Sequence, residues 1–301
     1  MTSTLPVQQR RGTQVPPAPG TRYLELDVAA GLDPFLRLAA ALTGTAVHYA
    51  VKANPHPRLL TALEAAGCRF DVASPTEVCS TYEAVETLTA GAELGLGPTG
   101  SSFHVGSQQR DPEAWAGPVA AAAHAFYLLR RRGLSPRPLD LGGGLPASYD
   151  GCRGVSAYGE AIDRHLTEAF GDDRPETLVE PGGGIVGDAG TLVPRVIDIV
   201  HRSGVRWVLL DAGVFTGLVE TLEEAIRHRL RTSVDGGPTG PCVLAGPTCD
   251  SADVLYEQRI VQLPIHLTEG DEVRMLSAGA YTSAYSTVGF NGFEPLLTRV
   301  V

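Results

Sequence analysis

Ala46-Val47-His48-Tyr49-Ala50-Val51-Lys52-Ala53-Asn54 is an apolar run that stops abruptly on a cation. Its first six residues suit a strand, and residues 57–66 beyond the polar break suit a helix. The rhythm recurs along the chain. Residues 68–74, 102–107, 138–144 and 177–182 are short apolar runs that end in polar or Gly-rich residues. Residues 114–131 and 159–170 read as helices between them. Strand–helix alternation with chemistry at the strand ends predicts an α/β fold, either a parallel β/α barrel or a doubly wound sheet.

Outward from this region the pattern changes. Residues 1–20 are rich in Pro, Gln, Thr and Arg without periodicity and read as a disordered lead-in. Residues 21–28 alternate as a strand, and 32–42 read as a helix ended by Gly44. After about Val193, runs at 205–210, 242–245 and 273–276 are separated by turns. They predict a mostly antiparallel β domain of sandwich type, with 235–241 as a surface loop. The expected division is 30–193 for the β/α part, and 21–29 with 194–301 for the β part.

Composition narrows the function. The 301 residues suffice for one large or two smaller domains. Acids outnumber bases, 34 to 24, so nucleic acid and an anionic membrane surface are disfavoured as partners. Among those bases 23 are Arg, which leaves Lys52 as the single lysine. It follows an apolar strand, not a Gly-rich loop, so there is no Walker motif. Five widely spaced cysteines without a CxxC pair fit reduced thiols better than disulfides or zinc, and predict a cytoplasmic protein without a metal site. No HExxH or GxSxG occurs. The apolar uncharged run 115–129 is too short to span a bilayer, and the N-terminus lacks an apolar signal core.

Several residues carry possible chemistry. A Lys at a barrel mouth loses hydration, which favours the neutral amine that a Schiff base requires. The bland alternative is a snorkelling strand-end Lys. Gly142-Gly143-Gly144 lets backbone N–H groups face an anion, although such a turn is often only a turn. Glu180, before Pro181-Gly182, could hold a ring nitrogen protonated or could be structural. His104 lies in an apolar run, where a core histidine is the commoner case; its other use is to stack on a planar cofactor. Asp211 and Asp250 sit in short Gly-bounded loops and could be turn residues or could together bind a cationic tail. Cys249 is a candidate proton donor, although most cysteines are inert.

Seven motifs stand in order: Tyr49-Ala50-Val51-Lys52-Ala53-Asn54, Phe103-His104-Val105-Gly106-Ser107, Leu141-Gly142-Gly143-Gly144, Glu180-Pro181-Gly182, Gly246-Pro247-Thr248-Cys249-Asp250-Ser251, Gly279-Ala280-Tyr281-Thr282 and Phe290-Asn291-Gly292-Phe293. Together they resemble the pyridoxal-phosphate decarboxylases of alanine-racemase fold, the ornithine/diaminopimelate/arginine group. Cys-Asp-Ser at 249–251 resembles the ornithine branch, whereas the diaminopimelate branch typically carries Cys-Glu-Ser. The resemblance implies a (β/α)8 barrel plus a C-terminal β domain, and a lyase of polyamine biosynthesis acting on a basic L-amino acid. Lys52 would hold pyridoxal 5'-phosphate, His104 would stack on its ring, and Glu180 would pair with the pyridine nitrogen. Ser107, Gly143, Gly144 and Tyr281 would bind its phosphate, with Asp71 nearby. Asp211, and Asp250 from a partner subunit, would bind the distal amine. Cys249, also from the partner, would protonate Cα, and Phe290 would line the pocket. A homodimer with shared sites follows. The alternatives are another diamino or guanidino acid as substrate, or a non-catalytic homologue that acts by binding.

Two departures stand out. The family normally carries Glu-Pro-Gly-Arg, with the Arg on the phosphate, where this chain has Gly183; Arg195 or Arg153 could compensate. Further, the chain passes from Asp71–Val78 directly into Cys79-Ser80-Thr81-Tyr82, which resembles a later point of the family pattern. Five barrel strands are then present where eight are required. Either the chain is internally shortened, or its sequence joins two stretches across a missing segment. The second is favoured, because a deletion leaves two strand edges unpaired.

Overall fold

The computed structural model describes residues 22–71, 89, 100–149 and 151–301. The lead-in at 1–20 and the Val78–Cys79 junction lie outside the described residues.

Strand β1 (Tyr23–Leu26) opens the described chain. Its two leucines are fully buried and serve different cores, Leu24 that of the β domain and Leu26 that of the α/β domain. Asp27 then accepts the Ala30 N–H at 3.1 Å and starts helix α1 (Val28–Ala41). The helix therefore begins four residues earlier than its apolar pattern suggests. Phe35 and Leu38 are on its buried face, each worth roughly 1.5–3 kcal/mol of apolar transfer.

The α/β domain follows as β2 (Thr45–Ala50), α2 (Pro57–Ala65), β3 (Arg69–Asp71), β4 (Ser101–Ser102), α3 (Ala116–Arg131), β5 (Pro138–Asp140), α4 (Val155–Phe170), β6 (Glu176–Val179) and α5 (Gly183–Val186). The strands form one sheet in the order β3-β2-β6-β5-β4, and every pair is parallel. Within this sheet the first strand in sequence, β2, thus pairs with the last, β6. The outer strands, β3 and β4, are those that flank the undescribed stretch between 71 and 100. The apolar stripe of α4 packs Tyr158, Ile162 and Leu166 inward at helical spacing. Tyr158 meets the Trp115 ring edge-on at 6.1 Å, and Trp115 donates its indole N–H to the Leu141 carbonyl.

The β domain comprises β7 (Gly190–Val193), β8 (Val196–Arg202), β9 (Val205–Leu210), β10 (Leu230–Thr232), β11 (Thr239–Ala245), β12 (Val254–Leu255), β13 (Val261–Pro264), β14 (Val273–Met275) and β15 (Leu297–Val300). One sheet runs β10-β14-β7-β1-β15, and the other β12-β11-β9-β8 with β13 beside β11. Pairing is antiparallel except for β1–β15 and β9–β11. Strand β7, expected within the β/α part, belongs to this domain's sheet. The expected loop at 235–241 ends earlier, because β11 begins at Thr239.

A buried asparagine ties the two domains together where the site forms. Asn54 is 1% exposed and donates its side-chain N–H to the Gly279 carbonyl at 2.8 Å. Its own carbonyl accepts the Tyr49 hydroxyl, and Tyr281 N–H bonds the Ala53 carbonyl at 2.8 Å. Asn54→Ala leaves the Gly279 carbonyl without that donor in a dry interface. We expect a loss of about 1–3 kcal/mol, read as a lower urea midpoint at unchanged slope.

Candidate active site

The C-terminal ends of the parallel strands open on one pocket. It is lined by Lys52, His104, Ser107, Gly143, Gly144, Glu180 and Tyr281, together with Gln108, Leu145, Gly182 and Gly183. Seven residues singled out from the sequence therefore converge, although they lie up to 229 positions apart (52 to 281). Two local expectations need correction. Strand β2 ends at Ala50, so Lys52 stands on the 3-10 turn Val51–Ala53 and is exposed rather than desolvated. Strand β4 is only Ser101–Ser102, so His104 lies on the following loop and not in a strand.

That loop is fixed by close backbone approach. Gly142 and Gly144 both have positive φ, +65° and +93°. A Cβ on Gly142 would stand 2.2 Å from the Phe103 carbonyl oxygen, and one on Gly144 2.5 Å from that of Gly106. Hydrogen bonds Phe103 N–H to Asp140 O, Gln109 N–H to Gly144 O and Glu180 N–H to Gly142 O join the three strand-end loops. His104 Nδ1 accepts the Gly106 N–H at 2.9 Å, so the proton of the neutral ring sits on Nε2. Partial burial favours that neutral form, the nearby Lys52 charge adds to it, and Glu180 opposes it.

Carboxylates gather on the other side. Asp140 accepts the Gly142 N–H at 2.8 Å. Burial raises its pKa well above the usual carboxylate range; the Gly142 bond opposes this, and Glu180 and Asp71 push it further up. Asp140 escaped sequence reasoning, since an acid before a Gly-rich turn has no distinguishing pattern. Glu220 escaped it as well. It lies on an irregular 3-10 stretch, Val219–Glu224, and its carboxyl hydrogen-bonds the Gln108 amide. Burial pushes its pKa up to about 7. Tyr281 is pushed up to about 12, first by burial and then by Glu220 and Asp71.

Other expected residues are not in this pocket. Asp211 is 2% exposed in the β domain, where its carboxylate accepts the Arg195 N–H at 2.8 Å and its carbonyl accepts Arg22. Arg195 is held by Glu272 and the Gly270 carbonyl, and Arg153 lines a different surface pocket beside Glu113 and Arg164. Neither arginine stands in for a side chain at 183. Cys249, Asp250 and Phe290 form a separate loop cluster on the β domain. Asn291 donates to the Thr248 carbonyl at 2.6 Å, and Phe290 packs on Phe215 with centroids 4.6 Å apart.

The Glu220 shift has a sign that can be measured. An unfolded Glu titrates near about 4.3, whereas the folded one titrates at about 7. Between these values the folded state binds the extra proton, so stability falls as pH rises through that window. His228, driven down to about 4 by burial, has the opposite effect, and Asp140 the same one. Both remain in a Glu220→Gln variant. The variant's denaturant midpoint minus that of the wild type should therefore be larger at about pH 8 than at about pH 5.

Comparison with known proteins fits this geometry. The model of the family described as "Pyridoxal-dependent decarboxylase, C-terminal sheet domain" matches residues 33–279. A lysine/ornithine decarboxylase of Selenomonas ruminantium is 32% identical over 217 residues, covering 70% of this chain and 52% of that protein. A diaminopimelate decarboxylase of Zymomonas mobilis is 29% identical over 256 residues, covering 82% and 56%. The chain thus spans about half the length of the curated relatives it matches. Among solved structures, the lysine/ornithine decarboxylase of Vibrio vulnificus complexed with cadaverine superposes with a TM-score of 0.84 at 27% identity, covering 94% of this chain and 95% of that one. With its single lysine, Gly-rich turn and Glu180 in one pocket and the family match over most of its length, this chain belongs to the pyridoxal-dependent decarboxylase family.

Proposed function

We propose that this chain forms a pyridoxal-phosphate-dependent decarboxylase of a basic L-amino acid, ornithine or a near relative, that releases a diamine and CO2. The observation that carries the reading is the meeting of Lys52 with His104, Glu180 and the Gly-rich turn in one pocket. Those residues fit the cofactor. Asp71, Asp140 and Glu180 concentrate negative charge that calls for a cation, and a protonated pyridine ring supplies one. Gly143 brings bare backbone up to the His104 ring, since a Cβ there would stand 2.9 Å from the Glu180 carbonyl oxygen and 3.4 Å from His104 Nε2. Lys52 is exposed and supplies the amine that would hold the aldehyde.

When bound, the cofactor supplies the electron sink for charge left at Cα as CO2 departs. The chain's own residues orient and protect. Glu180 would keep the ring nitrogen charged, His104 would cover the ring, and Ser107, Gly143, Gly144 and Tyr281 would hold the phosphate. The partner's Cys249 would return a proton to Cα, and the partner's Asp250 would hold the distal ammonium. A buried carboxylate left without its cation costs about 1–3 kcal/mol, so substrates lacking a distal cation are rejected.

The same proposal covers architecture. The parallel sheet would be part of a (β/α)8 barrel, with three further units falling between β3 and β4. The outer position of those two strands supports this. The proposed compartment is the cytoplasm. None of the four described cysteines forms a disulfide, and no helix among the described residues is long and apolar enough to cross a membrane.

Lys52→Ala should abolish both the visible absorption band of the bound cofactor and CO2 release from a panel of diamino acids. Wild-type turnover in that variant would sink the reading. Shared sites have their own test. Mixing inactive Lys52→Ala chains with inactive Cys249→Ala chains should regain activity, since a mixed dimer assembles one complete site. No recovery on mixing would refute sharing.

A further inference from the structure

Gln108 lines the Lys52 pocket, although no sequence pattern marks it. Three observations set it apart. Its backbone has φ of +52°, the left-handed region that costs a residue with a Cβ and favours glycine. Its side-chain Oε1 is buried without a hydrogen-bond partner. Its amide reaches over the bare backbone of Gly183, where an added Cβ would meet Nε2 at 3.1 Å and Oε1 at 3.4 Å. A strained backbone that aims an unsatisfied amide into a pocket is costly unless a ligand uses the amide.

We propose that Gln108 is a phosphate-binding residue of this site, occupying the space that a side chain at position 183 would otherwise fill. This rests on reading the pocket as a pyridoxal phosphate site. The amide is neutral and can turn about its last bond, which exchanges its donor and acceptor ends. Glu220 is the group that sets the direction: in the structure its carboxyl accepts from the Gln108 amide and leaves Oε1 unpartnered. As the acid it would instead donate to Oε1 once the amide has turned, and Nε2–H would then be directed toward the pocket. Burial holds Glu220 toward that protonated form, and a phosphate nearby holds it there more firmly. Glu220 is therefore a positioning residue, and Gln108 is the contact.

The test is a comparison of two ligands, pyridoxal 5'-phosphate and unphosphorylated pyridoxal, titrated by absorbance and fluorescence. Gln108→Gly removes the amide and also relieves the left-handed backbone. It should raise Tm while weakening pyridoxal 5'-phosphate binding about tenfold or more, the effect of one hydrogen bond to an ionised group. Pyridoxal binding should not change. Gln108→Asn tolerates the same backbone and shortens the reach by one methylene, so it should show the same phosphate-selective loss. It carries the test should the glycine variant fold poorly. Equal loss for both ligands, or loss for neither, overturns the role of Gln108 alone. A wild-type chain that binds pyridoxal but shows no preference for its phosphate does the same. A wild-type chain that binds neither ligand overturns the pocket's reading and this inference together.

Discussion

No side chain fits at residues 142 and 144, and the site depends on that. The ends of β4, β5 and β6 approach so closely that a Cβ there would overlap the Phe103 and Gly106 carbonyl oxygens. Because the space is filled by backbone, the loops carrying His104, Ser107 and Glu180 can be joined by direct main-chain hydrogen bonds. Rigidity of this kind costs no side-chain entropy, since nothing but backbone is ordered. The Lys52 turn is held independently, through Asn54 and Tyr281, against the β domain. The pocket thus has one wall fixed by the parallel sheet and another fixed by the contact between domains.

Much of this was legible in the sequence, for local reasons. Strand ends, Gly-rich turns and a solitary lysine are read from neighbours in the chain, and the residues so found converge in the pocket. The carboxylates were not legible. Asp211, Asp140, Glu220 and Asp253 look alike in sequence, and partners far along the chain decide their roles. Asp211 is engaged by Arg22 and Arg195, 189 and 16 positions away. Glu220 acquires its character from burial beside Gln108. Strand lengths were overestimated for a related reason. In a parallel sheet buried on both faces, apolar character continues past the last ladder hydrogen bond into the loop. Strand β4 keeps only the first residue, Ser102, of the six-residue run 102–107.

Electrostatics across the pocket runs in one direction. On the acid side burial raises Asp140 and Glu220, and repulsion from Glu180 and Asp71 raises Asp140 further. On the other side Lys52 and burial lower His104. A net charge of −10 adds to the imbalance. Asp140, Glu220 and His104 are all held toward their neutral forms.

The loop bearing Cys249 and Asp250 stands apart from the Lys52 pocket of its own chain. Its frame is unusually firm. Asp253, 2% exposed, accepts from Val214 N–H at 2.7 Å, Thr248 N–H at 3.0 Å and the Thr248 hydroxyl at 2.6 Å. Cβ atoms on Gly213 or Gly246 would collide with its carboxylate. Above this frame Cys249 is exposed with φ of +60°, an unfavourable backbone for a residue with a side chain. A buried carboxylate and a strained residue are thus committed to presenting a thiol that does not line the pocket of the same chain. In the proposed sharing of sites, this firm loop would present the thiol to the pocket of a second chain.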